Sequence, residues 1–210
     1  MTERKTVVYP NPQVLAEAVA ARTLLTIIDL LAEPNRKRVD IAVTGGTDGN
    51  RVFAAMNASP LNDAVDWSRV HAAASPEQTD AVLAEAAAEY QRELIEQLGE
   101  NPALDIAMFG MGPDAHFASL FPDHGEAEID DPHVLVAGVR DSPKPPPLRL
   151  TLTVPMIARS KHTWVFTSEE RKAGAVKAAF AQRNNPHAPS SYADGEELLW
   201  LIDEGAASKL

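Results

Sequence analysis

Residues 104–122 read LDIAMFGMGPDAHFASLFP. The mostly apolar run at 104–109 has the length of a strand buried on both faces, and Gly110-Met111-Gly112-Pro113 breaks it. Upstream the same build occurs again: VDIAV at 39–43, broken by Thr44-Gly45-Gly46-Thr47-Asp48-Gly49, then a helix expected at 51–57. Strands of this kind need cover on both faces, and the chain offers it. Asn11-Pro12 reads as an N-cap followed by proline at the first helical position. The helix it opens is expected to reach about residue 32, where Pro34 and Asn35 end it. Its expected buried stripe is Val14, Ala18, Leu24, Leu25, Ile28 and Leu31. Further helices are expected at 76–98, near 155–159, at 169–182 and at the end of the chain, with strands at 133–139, 149–154, 163–167 and 198–202. Alternation of this sort predicts a single-domain α/β fold over residues 1–210: a largely parallel β-sheet with helices on both faces. Sites in such folds lie beyond the carboxyl ends of the strands. Both glycine-rich loops stand there.

Composition narrows the function. The 210 residues suit one domain and include no cysteine, which excludes a thiolate nucleophile, a disulfide scaffold and any cysteine-based metal site. The opening MTERKTVVYP is too charged for a signal peptide, and no apolar run approaches the ~18 residues of a membrane span. A cytoplasmic protein with no membrane partner is therefore expected. The formal net charge of −11 repels nucleic acid and anionic lipid alike. It repels a phosphorylated metabolite too, unless a local cluster of cations receives it. Oligomeric state is not legible in the sequence.

Three segments carry candidate chemistry. Thr44, Gly45, Gly46 and Thr47 follow a strand and precede a helix, where free N–H groups favour an anion such as phosphate. They form neither GxGxxG nor GxxxxGK[ST], so dinucleotide and Walker-type sites are not supported. His116 lies just past the second glycine turn, well placed as a general base, with Asp114 and Ser119 near enough to orient it or to contact substrate. Residues 141–153, DSPKPPPLRLTLT, place the cations Lys144 and Arg149 on a proline-stiffened loop. Taken singly, each segment is served as well by a tight turn, a loop histidine or a surface turn. The other histidines, His71, His124, His133, His162 and His187, show no metal-ligand spacing, and Ser119 and Ser142 lack the GxSxG elbow.

Taken together, the segments resemble the 6-phosphogluconolactonase family. Residues 110–122 follow its GMGxDGHxASLFP-like run, and residues 139–153 follow its proline-rich loop and strand. Residues 44–47 match its phosphate loop more loosely, and LLWLIDEGAASKL at 198–210 also fits. The resemblance implies a Rossmann-like fold related to the sugar-phosphate isomerases and deaminases, and a pentose phosphate pathway enzyme using neither metal nor cofactor. Its substrate would be a phosphorylated sugar lactone. His116 would take a proton from the attacking water, and Thr44, Gly45, Gly46, Thr47, Asp114, Ser119, Lys144 and Arg149 would hold the substrate. On this expectation Arg149→Ala chiefly weakens binding.

Two departures stand out. Ala115 occupies a position where the family usually has glycine, which is tolerable if its φ stays negative. The family also carries a W-x-D-E-R-like stretch between its glycine loops, and here Val70-His71 runs directly into Ala72-Ala73-Ala74-Ser75-Pro76. The reading taken is an omitted loop near residues 70–76 rather than a deletion, which predicts a break in the Cα path between Arg69 and Pro76. The alternatives are a glucosamine-6-phosphate isomerase/deaminase-type enzyme and a non-catalytic sugar-phosphate-binding protein. Ser119-Leu120-Phe121-Pro122 and the KPPPLR segment favour the lactonase over the deaminase.

Overall fold

Strand β4 (Ile106–Gly110) shows why its run is apolar throughout: Ile106 and Met108 enter one buried cluster, Ala107 and Phe109 the other. Strand β8 (Glu197–Asp203) repeats the pattern, with Leu199 and Leu201 on one face and Leu198, Trp200 and Ile202 on the opposite one. Side chains alternate along a strand, so a strand covered on both faces has no polar register. The computed structural model describes residues 2–73 and 83–210. Its remaining elements are β1 (Arg4–Tyr9), α1 (Pro12–Ala32), β2 (Val39–Ala42), α2 (Gly46–Ala58), β3 (Val70–Ala73), α3 (Leu83–Leu98), β5 (Val136–Val139), β6 (Arg149–Leu152), α4 (Val154–Ile157), β7 (His162–Thr167), α5 (Ala173–Ala181) and α6 (Glu204–Ala207). Six strands form a sheet in the order β1-β8-β7-β4-β2-β3, each neighbouring pair parallel. Helices α1 and α2 cover one face through Leu15, Val19, Ile27, Val52 and Met56. The opposite face is covered by α3 and α5, through Leu94 and Val176 among others, and by the β5–β6 ribbon.

Several expectations are corrected. The Asn11 side chain does cap α1, accepting from the Val14 N–H at 3.0 Å. Yet the buried face is Leu15, Val19, Leu24, Ile27 and Leu30, while Val14 is 36% and Leu25 47% exposed. Ala18, Ile28 and Leu31 are half-buried. Leu24 is buried as expected, but the apolar doublets at 24–25, 27–28 and 30–31 offer two overlapping stripes, and at the last two packing against the sheet takes the partner of the expected residue. Strands β1 and β3 were not expected. β5 and β6 leave the main sheet and pair antiparallel as a separate ribbon. Helix α2 starts at Gly46 rather than residue 51, so most of the glycine stretch is its first turn. The expected start of α3 at residue 76 lies outside the described residues. The expected break is not found up to Ala73, since β3 runs unbroken from Val70 to Ala73, and the rest of that stretch lies outside the described residues.

The strand order fixes where a ligand can enter. β2 and β4 are neighbours, but the chain leaves β2 toward β3 and leaves β4 toward β7. Connections that part in opposite directions open a crevice at the carboxyl ends of the two strands. Among the described residues, no helix is long and apolar enough to cross a membrane.

Candidate active site

A cavity of about 890 Å³ fills this crevice, and both glycine loops line it. Thr44, Gly45, Gly46 and Thr47 lie on its wall at the start of α2. Gly45 stands at the N-cap with no side chain to accept bonds from the first turn, and Gly46 turns the chain with φ +81°. The opening amides of a 13-residue helix are thereby left for a ligand. Asp48, in the first turn, is buried and bonded within the protein. Its carboxylate accepts from Lys172 Nζ at 2.6 Å, from Ser168 Oγ at 2.6 Å and from Arg51 at 3.2 Å. Burial alone would raise its pKa, but the bonds from Lys172 and Ser168 outweigh that and hold it below the ordinary carboxylate value.

Lys172 is only 7% exposed, yet it lines the crevice beside Arg171. Sequence reasoning missed both. They open the segment after β7, which was expected only as a helix. The signal available was a pair of cations just past a third strand end.

The loop after β4 builds the other end. It closes on itself through Gly112 N–H to His116 O at 3.0 Å and Ala115 N–H to Gly112 O at 3.0 Å. This brings His116 Nδ1 onto the Asp114 carboxylate. Burial would raise the Asp114 pKa. The His116 hydrogen bond, its charge and that of Lys144 prevail and pull it down to about 2. An ionised carboxylate only accepts, so Nδ1 is the ring nitrogen that donates to it. The ring is 14% exposed at the crevice wall and is backed by Phe121, with ring centroids 4.9 Å apart. Lys144 reaches it from the proline loop, Nζ lying 3.2 Å from Nδ1, 3.5 Å from Nε2 and 3.8 Å from the Asp114 carboxylate. A side chain at Gly112 would overlap the imidazole and the carboxylate together. Ala115 adopts φ +64°, so the condition for a tolerated alanine is not met and the residue is strained.

Ser119 and Arg149 also line the crevice. The Ser119 N–H donates to Thr151 Oγ1 at 3.2 Å. Arg149 donates from Nε to Pro146 O at 3.1 Å and from Nη2 to Lys144 O at 2.9 Å and Pro145 O at 2.7 Å. The structure thus gathers Thr44, Gly45, Gly46, Thr47, His116, Ser119, Lys144 and Arg149 around one cavity, with Asp114 behind the histidine.

The fold is that of the open α/β proteins that take ligands at the carboxyl ends of a parallel sheet. Residues 72–200 match the family model described as glucosamine-6-phosphate isomerases/6-phosphogluconolactonase. A 6-phosphogluconolactonase from Streptomyces coelicolor is 35% identical over 248 aligned positions, covering 97% of this chain and 94% of the relative. One from Mycobacterium tuberculosis is 31% identical, with 97% of each chain covered. The solved structure of 6-phosphogluconolactonase from Trypanosoma brucei superposes with a TM-score of 0.76 over 100% of both chains, at 20% identity. This chain belongs to the glucosamine-6-phosphate isomerase/6-phosphogluconolactonase family, and within it to the 6-phosphogluconolactonases. The 248 aligned positions exceed its 210 residues, so the Streptomyces relative carries segments without a counterpart here.

Proposed function

We propose that this chain hydrolyses 6-phosphoglucono-1,5-lactone to 6-phosphogluconate, a step of the oxidative pentose phosphate pathway, with His116 as the general base. The observation that carries the reading is that the His116–Asp114 pair and the open start of α2 share one crevice. A lactone is an activated ester, so one positioned base and one water suffice. His116 Nε2 takes a proton as the water oxygen attacks the lactone carbonyl. Negative charge gathers on the carbonyl oxygen, and the Lys144 ammonium beside the ring stabilises it. Collapse breaks the bond to the ring oxygen, which receives the proton from His116. The new carboxylic acid then ionises to solvent.

The phosphate belongs at the opposite end, on the first amides of α2 with Thr44 and Thr47 hydroxyls and the Lys172 ammonium. This division gives the acidic chain the local cations that an anionic substrate requires. Holding the phosphate there fixes the lactone relative to the base. The test follows 6-phosphogluconate formation from freshly made lactone against its spontaneous hydrolysis. His116→Ala is expected to lose turnover while still binding 6-phosphogluconate. Undiminished turnover in that variant removes the base assignment. Ammonia release from glucosamine 6-phosphate instead would assign the chain to the deaminase branch of the family.

A further inference from the structure

The proline loop poses a bonding problem that Arg149 solves. Pro145, Pro146 and Pro147 have no N–H, so the loop cannot pair its own carbonyls in a regular ladder. The carbonyl of Lys144 receives the Ser142 hydroxyl at 2.9 Å, and Ser142 N–H closes onto Pro147 O at 2.9 Å. The carbonyls of Lys144, Pro145 and Pro146 converge on Arg149, whose planar fork supplies donors to all three. The same guanidinium lies 5.6 Å over the ring of Phe121, the residue that backs His116. Its Nε and Nη2 therefore face the loop and Phe121. The cation that the loop delivers to the reacting end is Lys144.

We propose that Arg149 is a positioning residue, which holds the Lys144 ammonium against His116 by clamping the proline-loop carbonyls rather than by gripping the substrate phosphate. The proposal rests on the reading of His116 and Lys144 given above. It also reverses the effect that the sequence suggests for Arg149: loss of the guanidinium strikes turnover and spares affinity. Phe121 is fully buried and keeps its place through its own packing, so the effect passes through Lys144.

A double-mutant cycle with a spectroscopic readout tests this. Turnover, KM and 6-phosphogluconate affinity are measured for the wild type, Arg149→Ala, Lys144→Ala and the double variant. The ring-nitrogen NMR signals of His116 are followed in each free enzyme. Arg149→Ala is expected to lower kcat on the order of 10²-fold with KM and product affinity little changed, as displacement of a reacting group does. In the Lys144→Ala background it is expected to change kcat by less than about threefold, because the two residues act as one unit. The His116 signals should move in Arg149→Ala as in Lys144→Ala, with no further movement in the double variant. Multiplicative losses, weaker product binding at unchanged kcat, or unmoved His116 signals in Arg149→Ala would each overturn the proposal. If Arg149→Ala does not fold, Arg149→Lys, which keeps the charge but loses the fork, is put through the same measurements, and wild-type kcat in that variant overturns it as well. Full activity in His116→Ala sinks the base assignment alone, because the coupling between Arg149 and Lys144 is scored separately.

Discussion

At Gly112 the absence of a side chain is a requirement of the site. A β-carbon there would occupy the space of the His116 ring and the Asp114 carboxylate, the two groups whose pairing fixes the ring through Nδ1. Gly112→Ala is expected to lower kcat on the order of 10²-fold, since the ring must move. Stability should fall by about 1–3 kcal/mol, as for other overpacked positions. A variant that melts like the wild type and turns over at its rate would contradict this geometry. Asp114 carries a pH signature. Its folded pKa is about 2 against an ordinary value of 3.8. A depressed carboxylate stabilises the fold fully above the ordinary value, and that contribution disappears as the pH falls from 3.8 toward 2. Denaturant melts of the wild type and Asp114→Asn should therefore differ at neutral pH and converge across that acidic window. Convergence well above pH 3.8 would mean that His116 and Lys144 do not hold the carboxylate ionised.

Among the elements, α1 shows what pattern reading resolves and what it leaves open. Its start was legible, because Asn11 and Pro12 are local signals with a local mechanism. Its buried face was not, because adjacent apolar pairs serve either of two stripes and only the sheet decides between them. Leu24→Ala and Ile27→Ala should each cost about 2–5 kcal/mol, as truncations in a packed core do. Leu25→Ala, at a half-exposed position, should stay within about 0.5 kcal/mol of the wild type. Comparable losses at Leu24 and Leu25 in urea melts would show the helix rotated from the described register. β1 escaped notice because RKTVVY opens on two adjacent charges and has only a short apolar run, and its partner β8 lies at the far end of the chain. In β3, VHAA has too little apolar bulk to announce a strand. The local pattern identified β5 and β6 as strands, but no local pattern states which sheet a strand joins. The site divides in the same way. His116 and Asp114 are two residues apart and could be read as a pair. Lys172 and Asp48 are 124 residues apart, and only the fold brings them together.

For the molecule as a whole, the site is a meeting of strand ends. Residues 44–47 follow β2, residues 112–119 follow β4, Lys144 comes from the turn of the ribbon and Arg149 from the start of β6, and Arg171 and Lys172 follow β7. These groups converge only in the folded chain, so a ligand that bridges them binds the native state alone and shifts the unfolding equilibrium. At about 100 times its Kd, 6-phosphogluconate should add about 2.7 kcal/mol of stability. For a chain of this size that corresponds to a rise in Tm of roughly 5–10 °C. His116→Ala should keep the full shift, because the imidazole handles a proton and the phosphate is held elsewhere. Arg171→Ala, at an exposed cation on the crevice wall, should melt like the wild type without ligand and show a smaller shift with it. Thermal scans across a concentration series separate these cases. If His116→Ala lost the shift while Arg171→Ala kept it, the anion would have to lie at the histidine end of the crevice, and the division between phosphate and reacting carbonyl would be inverted.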